Sequence, residues 1–129
     1  MSSNLDALVA ALEAEFTLEV VFQPALPTAL TAPSVVVVPS DPFIQPRTGA
    51  ANLVEESWDI LCAVNISEVG PGIDLMRDLS LRVRQAASGT GATWRSASGP
   101  RRLATEQSNV VFSINEVTFY YDPAQHLIP

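Results

Sequence analysis

The sequence predicts an α+β fold: one domain with a mostly antiparallel sheet and two amphipathic helices packed on one face of it. Three observations carry the prediction. Two segments, one ending at Phe16 and one running from Ile73 to Ala87, repeat apolar residues at helical spacing. Several others are short, rich in β-branched and aromatic residues, and alternate apolar with polar positions. Prolines and glycines punctuate these segments into the order α-β-β-β-α-β-β, with too little chain, at 129 residues, for a second core. Residues 1–129 are therefore read as a single domain, with 124–129 as a flexible tail.

The first helix is expected over 3–15, where "SNLD" offers a hydroxyl at the N-cap and a carboxylate three residues on. Leu5, Leu8, Val9, Leu12 and Phe16 share one stripe and Glu13 stands off it, so one face is meant for a core. "TLEVVF" (17–22) follows as the first strand and ends at Gln23-Pro24. Residues 24–33 carry three prolines in ten and form an extended surface crossing. "SVVVVPS" reads as a short strand stopped by Pro39, and 40–53, without either period, as a long loop. "EESWDILCAVNIS" (55–67) is the clearest strand, because Trp58, Ile60, Cys62, Val64 and Ile66 alternate with a mixed face.

"EVGPGI" turns the chain into the second helix, with Pro71 near its first position and Ser88-Gly89 at its end. Ile73, Leu75, Met76, Leu79, Val83, Ala86 and Ala87 share an arc, Asp78 and Arg82 are spaced to pair, and Leu81 projects from the polar side. "ATWRSAS" and "RRLATEQ" flank Gly99-Pro100 as a hairpin. In the last strand (108–122) Val110, Phe112 and Ile114 are even whereas Val117, Phe119 and Tyr121 are odd. Either a bulge near Asn115-Glu116 restores the parity or the strand is covered on both sides. The four valines 35–38 pose the same question, since a strand turns alternate residues to opposite faces. Helices on one face leave Val36 and Val38 for a second layer, and a neighbouring copy of the chain is the expected cover.

Little in the sequence points to chemistry. The lone Cys62 falls in an alternating apolar pattern and reads as a buried hydrophobe. The lone His126 lies in the tail, and one histidine with one cysteine cannot furnish an ordinary zinc site. No phosphate-binding glycine loop or nucleophile elbow is present, so neither a catalytic residue nor a cofactor is expected. The carboxylates Glu55-Glu56-Asp59 and Asp74-Asp78 read as a solvated strand start and a solvated helix face. A net charge of −7, with a pI near 4.4, disfavours binding along nucleic acid, and the seven basic residues, all arginine, do not gather into a patch along the sequence. Apolar runs fall far short of the roughly 20 residues of a membrane span, and "MSSNLDALVAALEAEF" lacks the basic start of a secretory signal, so the chain is expected to be made in the cytoplasm.

From Leu5 to Asp122 the chain resembles the tail terminator, or tail-completion, proteins of phages with long non-contractile tails, especially those infecting actinobacteria. The resemblance rests on chain length, the opening "LDALVAALEAEF" helix, the proline-rich crossing to "SVVVVPSDPF", the strand "SWDILCAVNI", the helix "GIDLMRDLSLRVRQA" and the late strand "VVFSINEVTFYYD". It implies a virion structural protein, not an enzyme: a homo-oligomeric ring, hexameric in the family, at the head-proximal end of the tail tube. Such a ring ends tube polymerisation, joins the tail to the head connector, and lets DNA pass without specific binding. Phe43, Arg47, Leu81, Arg101 and Arg102 are the candidate contacts with other subunits or partners; the loop 40–53 and the turn 97–103 are contact segments by analogy. The alternatives are another head-tail connector or neck protein, or a module that binds a small ligand or peptide.

Overall fold

The chain is described by a computed structural model over residues 3–25, 33–47, 49, 52–65, 69–99, 101 and 110–125. Its elements follow the expected order: α1 (Ser3–Phe16), β1 (Val20–Phe22), β2 (Ser34–Pro46), β3 (Val54–Asn65), α2 (Val69–Ser88), β4 (Thr93–Ala97) and β5 (Val110–Tyr121). The five strands form one sheet in the order β1-β2-β3-β5-β4, antiparallel throughout except for the parallel pair β1 and β2. The fold is therefore α+β, as the alternation of periods predicts.

Both helices pack on one face. From α1, Leu5, Leu8, Val9 and Leu12 meet Val83, Ala86 and Ala87 of α2 over Val35, Val37, Ile60, Cys62, Val117 and Phe119 of the sheet. Leu8, Leu12, Val37, Ile60 and Val117 have no exposed surface, and each such side chain contributes on the order of 2 kcal/mol over leaving it in water. α1 lies against β1 and α2 against β3, β4 and β5, so the two helices divide the sheet between its edges. Helix α1 ends at Thr17, whose φ of 51° breaks the helical path, and the first strand shrinks from the expected six residues to three. Helix α2 differs from its predicted arc at its start. The main core engages it only from Leu79 onward, and Ile73 and Leu75 are 46% and 38% exposed. No helix among the described residues is long and apolar enough to cross a membrane.

The second face corrects the expectation built on the valine run. Val36 and Val38 are 5% and 4% exposed within a single chain, as buried as Val35 and Val37 on the helix side. They form their own cluster with Leu61, Ala63 and Phe112, flanked by Val110 and Ile114. A neighbouring copy is not needed to cover them. β1 pairs with β2 in parallel, so the proline-rich crossing joins two strands that run the same way. Pro24 and Ala25, at its start, border Val38, Leu61 and Ile114 on this face.

The same two-sided cover explains the parity change in β5. Its register with β3 is unbroken from Val54–Tyr121 to Asn65–Val110, so β5 carries no bulge against β3. The irregularity lies across the ladder in β4, between Trp94 and Ser96. The even residues of the first half face the second cluster, and the odd residues of the later half face the helices.

Two further expectations are corrected. Pro39 does not stop β2, which runs on to Pro46, pairs again at Ile44–Glu56 after a register shift, and shortens the loop to the turn closed by Arg47 N–H on Leu53 O. The reason is directional: the Val37 carbonyl accepts from Gln23 N–H on the β1 side. Pro39, two residues on, turns the same way, past the end of β1, where no partner needs its missing donor. Nor does Gly99 begin a hairpin turn. Ser98 N–H donates to Ile114 O, and Arg101 exchanges both backbone bonds with Phe112, so the chain from β4 keeps tracking the edge of β5. Residues 102–107, the rest of the expected second half of the hairpin after Arg101, lie outside the described residues. At the C-terminus, Pro123–Gln125 form a 3-10 turn in which Ala124 N–H donates to Asp122, and residues 126–129 of the expected tail, His126 among them, lie outside the described residues.

Candidate functional site

Two apolar surface regions lie toward opposite edges of the sheet. The first surrounds Trp58 on the β1–β2 side. The register sets Trp58 on the helix-side face, where Phe22 and Phe43 meet its ring edge-on with centroids 6.4 and 4.8 Å away. Ile44 pairs with Glu56 on the same face and is 49% exposed. Phe22 on β1 is also exposed on this face, whereas the exposed Val21 lies with Val36 on the opposite face. The chain makes this corner because β2 outruns three-residue β1, leaving the second half of β2, paired with β3 on one side, without a strand on its outer side.

The second region is an open groove of about 340 Å³ between α2 and β4, lined by Ile73, Met76, Leu81, Trp94 and Ala97, with Arg77 at its rim. Leu81 is 53% exposed. Trp94 is held in place from below, its indole N–H donating to the buried Asn115 side chain at 3.1 Å. Exposed apolar side chains at i and i+8 on one helix, beside an indole, are an interaction surface rather than scattered surface leucines.

Between these regions the charges separate. Residues 1–59 hold eight of the fourteen carboxylates and a single arginine, Arg47. On the described surface, Asp6, Glu13 and Glu15 of α1, then Glu19 and Asp41, belong to the α1–β1–β2 side. Arg77, Arg82, Arg84, Arg95 and Arg101 all belong to α2, β4 and the segment after it, so the fold gathers arginines that look dispersed in the sequence. They do not make a phosphate track. Arg77 pairs with Asp74 at 3.1 Å, Arg82 with Asp78 at 2.9 Å as the spacing predicts, and Arg95 lies 3.5 Å from Glu55.

The candidate contact residues fall into two groups. Phe43 lies on the projecting half of β2, half-buried against Trp58, and Arg47 directly follows that strand with its guanidinium 4.3 Å above the Tyr120 ring. Leu81 lines the groove, and Arg101 is exposed just past Gly99, which also lines it. Arg102 lies outside the described residues. The sequence reading missed Ile73, Leu75, Trp94 and Ile44 as surface features. Ile73 and Leu75 fit the core arc of α2, and only the end of α1 and the sheet beneath decides where that arc stops being covered.

One polar cluster reads differently in three dimensions. Glu56, expected at a solvated strand start, is 9% exposed and accepts from Trp58 Nε1–H at 2.8 Å and from the Tyr121 hydroxyl at 2.7 Å. Burial first, then the Glu56 hydrogen bond and charge, push the Tyr121 hydroxyl up to about 12. Burial alone pushes the Cys62 thiol up to about 12, which leaves it a neutral core side chain. Asp59 accepts from Ser40 at 2.6 Å, and Ser57 shares a hydrogen bond with Thr118 at 2.9 Å. Each of these groups is held by a structural partner, and among the described residues no three His, Cys, Asp or Glu side chains are placed to hold a metal ion. What the surface offers is contact: two apolar regions at different edges, set in surroundings of different charge. Compared with protein-family models and with curated proteins, the chain finds no match in either.

Proposed function

We propose that this protein is a structural subunit of a phage virion, a tail terminator that forms a homo-oligomeric ring at the head-proximal end of the tail tube. The ring ends tube polymerisation and joins the tail to the head connector. The observation that carries the reading is the presence of two different exposed apolar regions toward opposite edges of one sheet. A surface that binds its own likeness gives a closed dimer, whereas two unlike surfaces on one molecule give head-to-tail association, which closes into a ring when the rotation allows it. The resemblance from Leu5 to Asp122 supplies the place of that ring in a tail, and six subunits its size. Carboxylates outnumber arginines two to one, which suits a channel through which DNA passes without adhering.

Deletion of the gene from its phage tests the role. The proposal expects particles whose tail tubes vary in length and fail to join heads, with rescue by the gene supplied in trans. Tails of normal length that lack head attachment would instead favour a connector or neck protein. Normal, joined tails would refute the proposal.

A further inference from the structure

Resting on that reading of self-association, we infer that the occupant of the α2–β4 groove is the Phe43–Ile44 corner of a second copy of this chain. Three observations select it. The groove is open and mostly apolar, with Ile73, Met76, Leu81 and Trp94 beside Arg77, Ser80 and Ser98, so it suits an apolar protrusion. Among the exposed large apolar side chains, Ile73 and Leu81 line the groove, while Phe22 and Ile44 share the corner's face of β1 and β2. Each set is therefore the other's available counterpart. Ile44 is the most exposed of the second set, on a strand that projects past β1.

Charge decides the orientation. Asp41 is exposed beside the corner and the α1–β1 side behind it adds Glu15 and Glu19, against one arginine, Arg47, whose guanidinium lies over the Tyr120 ring. On the receiving side Arg77 is taken up by Asp74 and Arg82 by Asp78, which leaves Arg84, on the adjoining hollow that shares Trp94, as the uncompensated charge of α2. Among the described residues, Arg84 and Arg101 have no carboxylate within ion-pair distance. Corner against corner brings an excess of carboxylates together, and groove against groove brings the two copies' Arg84 together; corner into groove opposes unlike charges. Repetition of that one contact uses both regions of every subunit and leaves neither exposed in a closed ring.

Cross-linking between separately marked copies tests the contact. Chains carrying Ile44→Cys and chains carrying Leu81→Cys are mixed on tail tubes and treated with a short bis-maleimide, the buried Cys62 serving as the unreactive internal control. The expected result is cross-linked dimers in the mixture at least tenfold above those in either variant alone. A second pair checks the charges: Asp41→Arg and Arg84→Asp each weaken assembly at least tenfold, and the two together restore it, while circular dichroism shows all three chains folded. Leu81→Cys linking to itself, or rings on tubes without the mixed cross-link or the charge rescue, would overturn this contact and leave the ring proposal standing. Chains that stay monomeric with and without tail tubes would overturn both.

Discussion

Glu56 is the residue with the most to lose from substitution among the polar side chains, because two donors depend on it and it is nearly out of reach of water. Glu56→Ala leaves the Trp58 indole and the Tyr121 hydroxyl without their acceptor and is expected to cost about 2 kcal/mol in urea unfolding. Glu56→Gln keeps an acceptor oxygen and is expected to cost less. Tyr121 ties the same cluster to pH. Its folded pKa of about 12 lies above the ordinary 10.0, so on raising pH the unfolded chain releases this proton first. Its contribution to stability is thus constant below pH 10, falls from there to about 12, and disappears in Tyr121→Phe; tyrosinate absorbance of the folded protein should show the late titration. Cys62 was legible from the sequence because strict alternation placed it among Ile60 and Val64. Glu56 lies on that same alternating face, two residues before Trp58, and this was the available signal. Its other partner, Tyr121, is 65 residues away and meets it only through the β3–β5 register.

At the scale of elements, α1 ends on a β-branched residue in the left-handed region, Thr17 at φ 51°, a position glycine occupies without steric cost. Thr17→Gly is expected to raise stability by about 1 kcal/mol, read as a higher urea midpoint at unchanged slope. On the second face, Val38→Ala is expected to cost about 2 kcal/mol, by the same amount at every protein concentration, because Leu61 and its neighbours in the same chain cover Val38. A loss that appears only where copies associate would show the cover to be intermolecular. Element order, the stripe of α1, the long strand β3 and the span of α2 were legible because periodicity is local. The persistence of β2 past Pro39 was not, since it depends on β1 stopping at Phe22 and freeing that edge of β2. The cover of Val36 and Val38 was not legible either. A parallel β1–β2 pair is a long-range choice, and only that choice brings the start of the proline-rich crossing onto the second face.

For the whole molecule, the four valines no longer argue for assembly, and the argument rests on the edges instead. Of the candidate contacts, Leu81 was legible because it breaks the amphipathic pattern of α2, whereas the groove beside it needs Trp94, brought there by β4. The charge separation was present in the sequence as a shortage of arginine before residue 77, and it acquires direction only because α1 and α2 lie over different edges of one sheet. An apolar corner at one edge and an apolar groove at the other are the surfaces on which the proposed head-to-tail association rests. The most direct test is electron microscopy of tail tubes incubated with this protein and then supplied with fresh tail tube subunits. The account predicts a ring closing one end of each tube and no growth at that end; open ends that continue to elongate would contradict it.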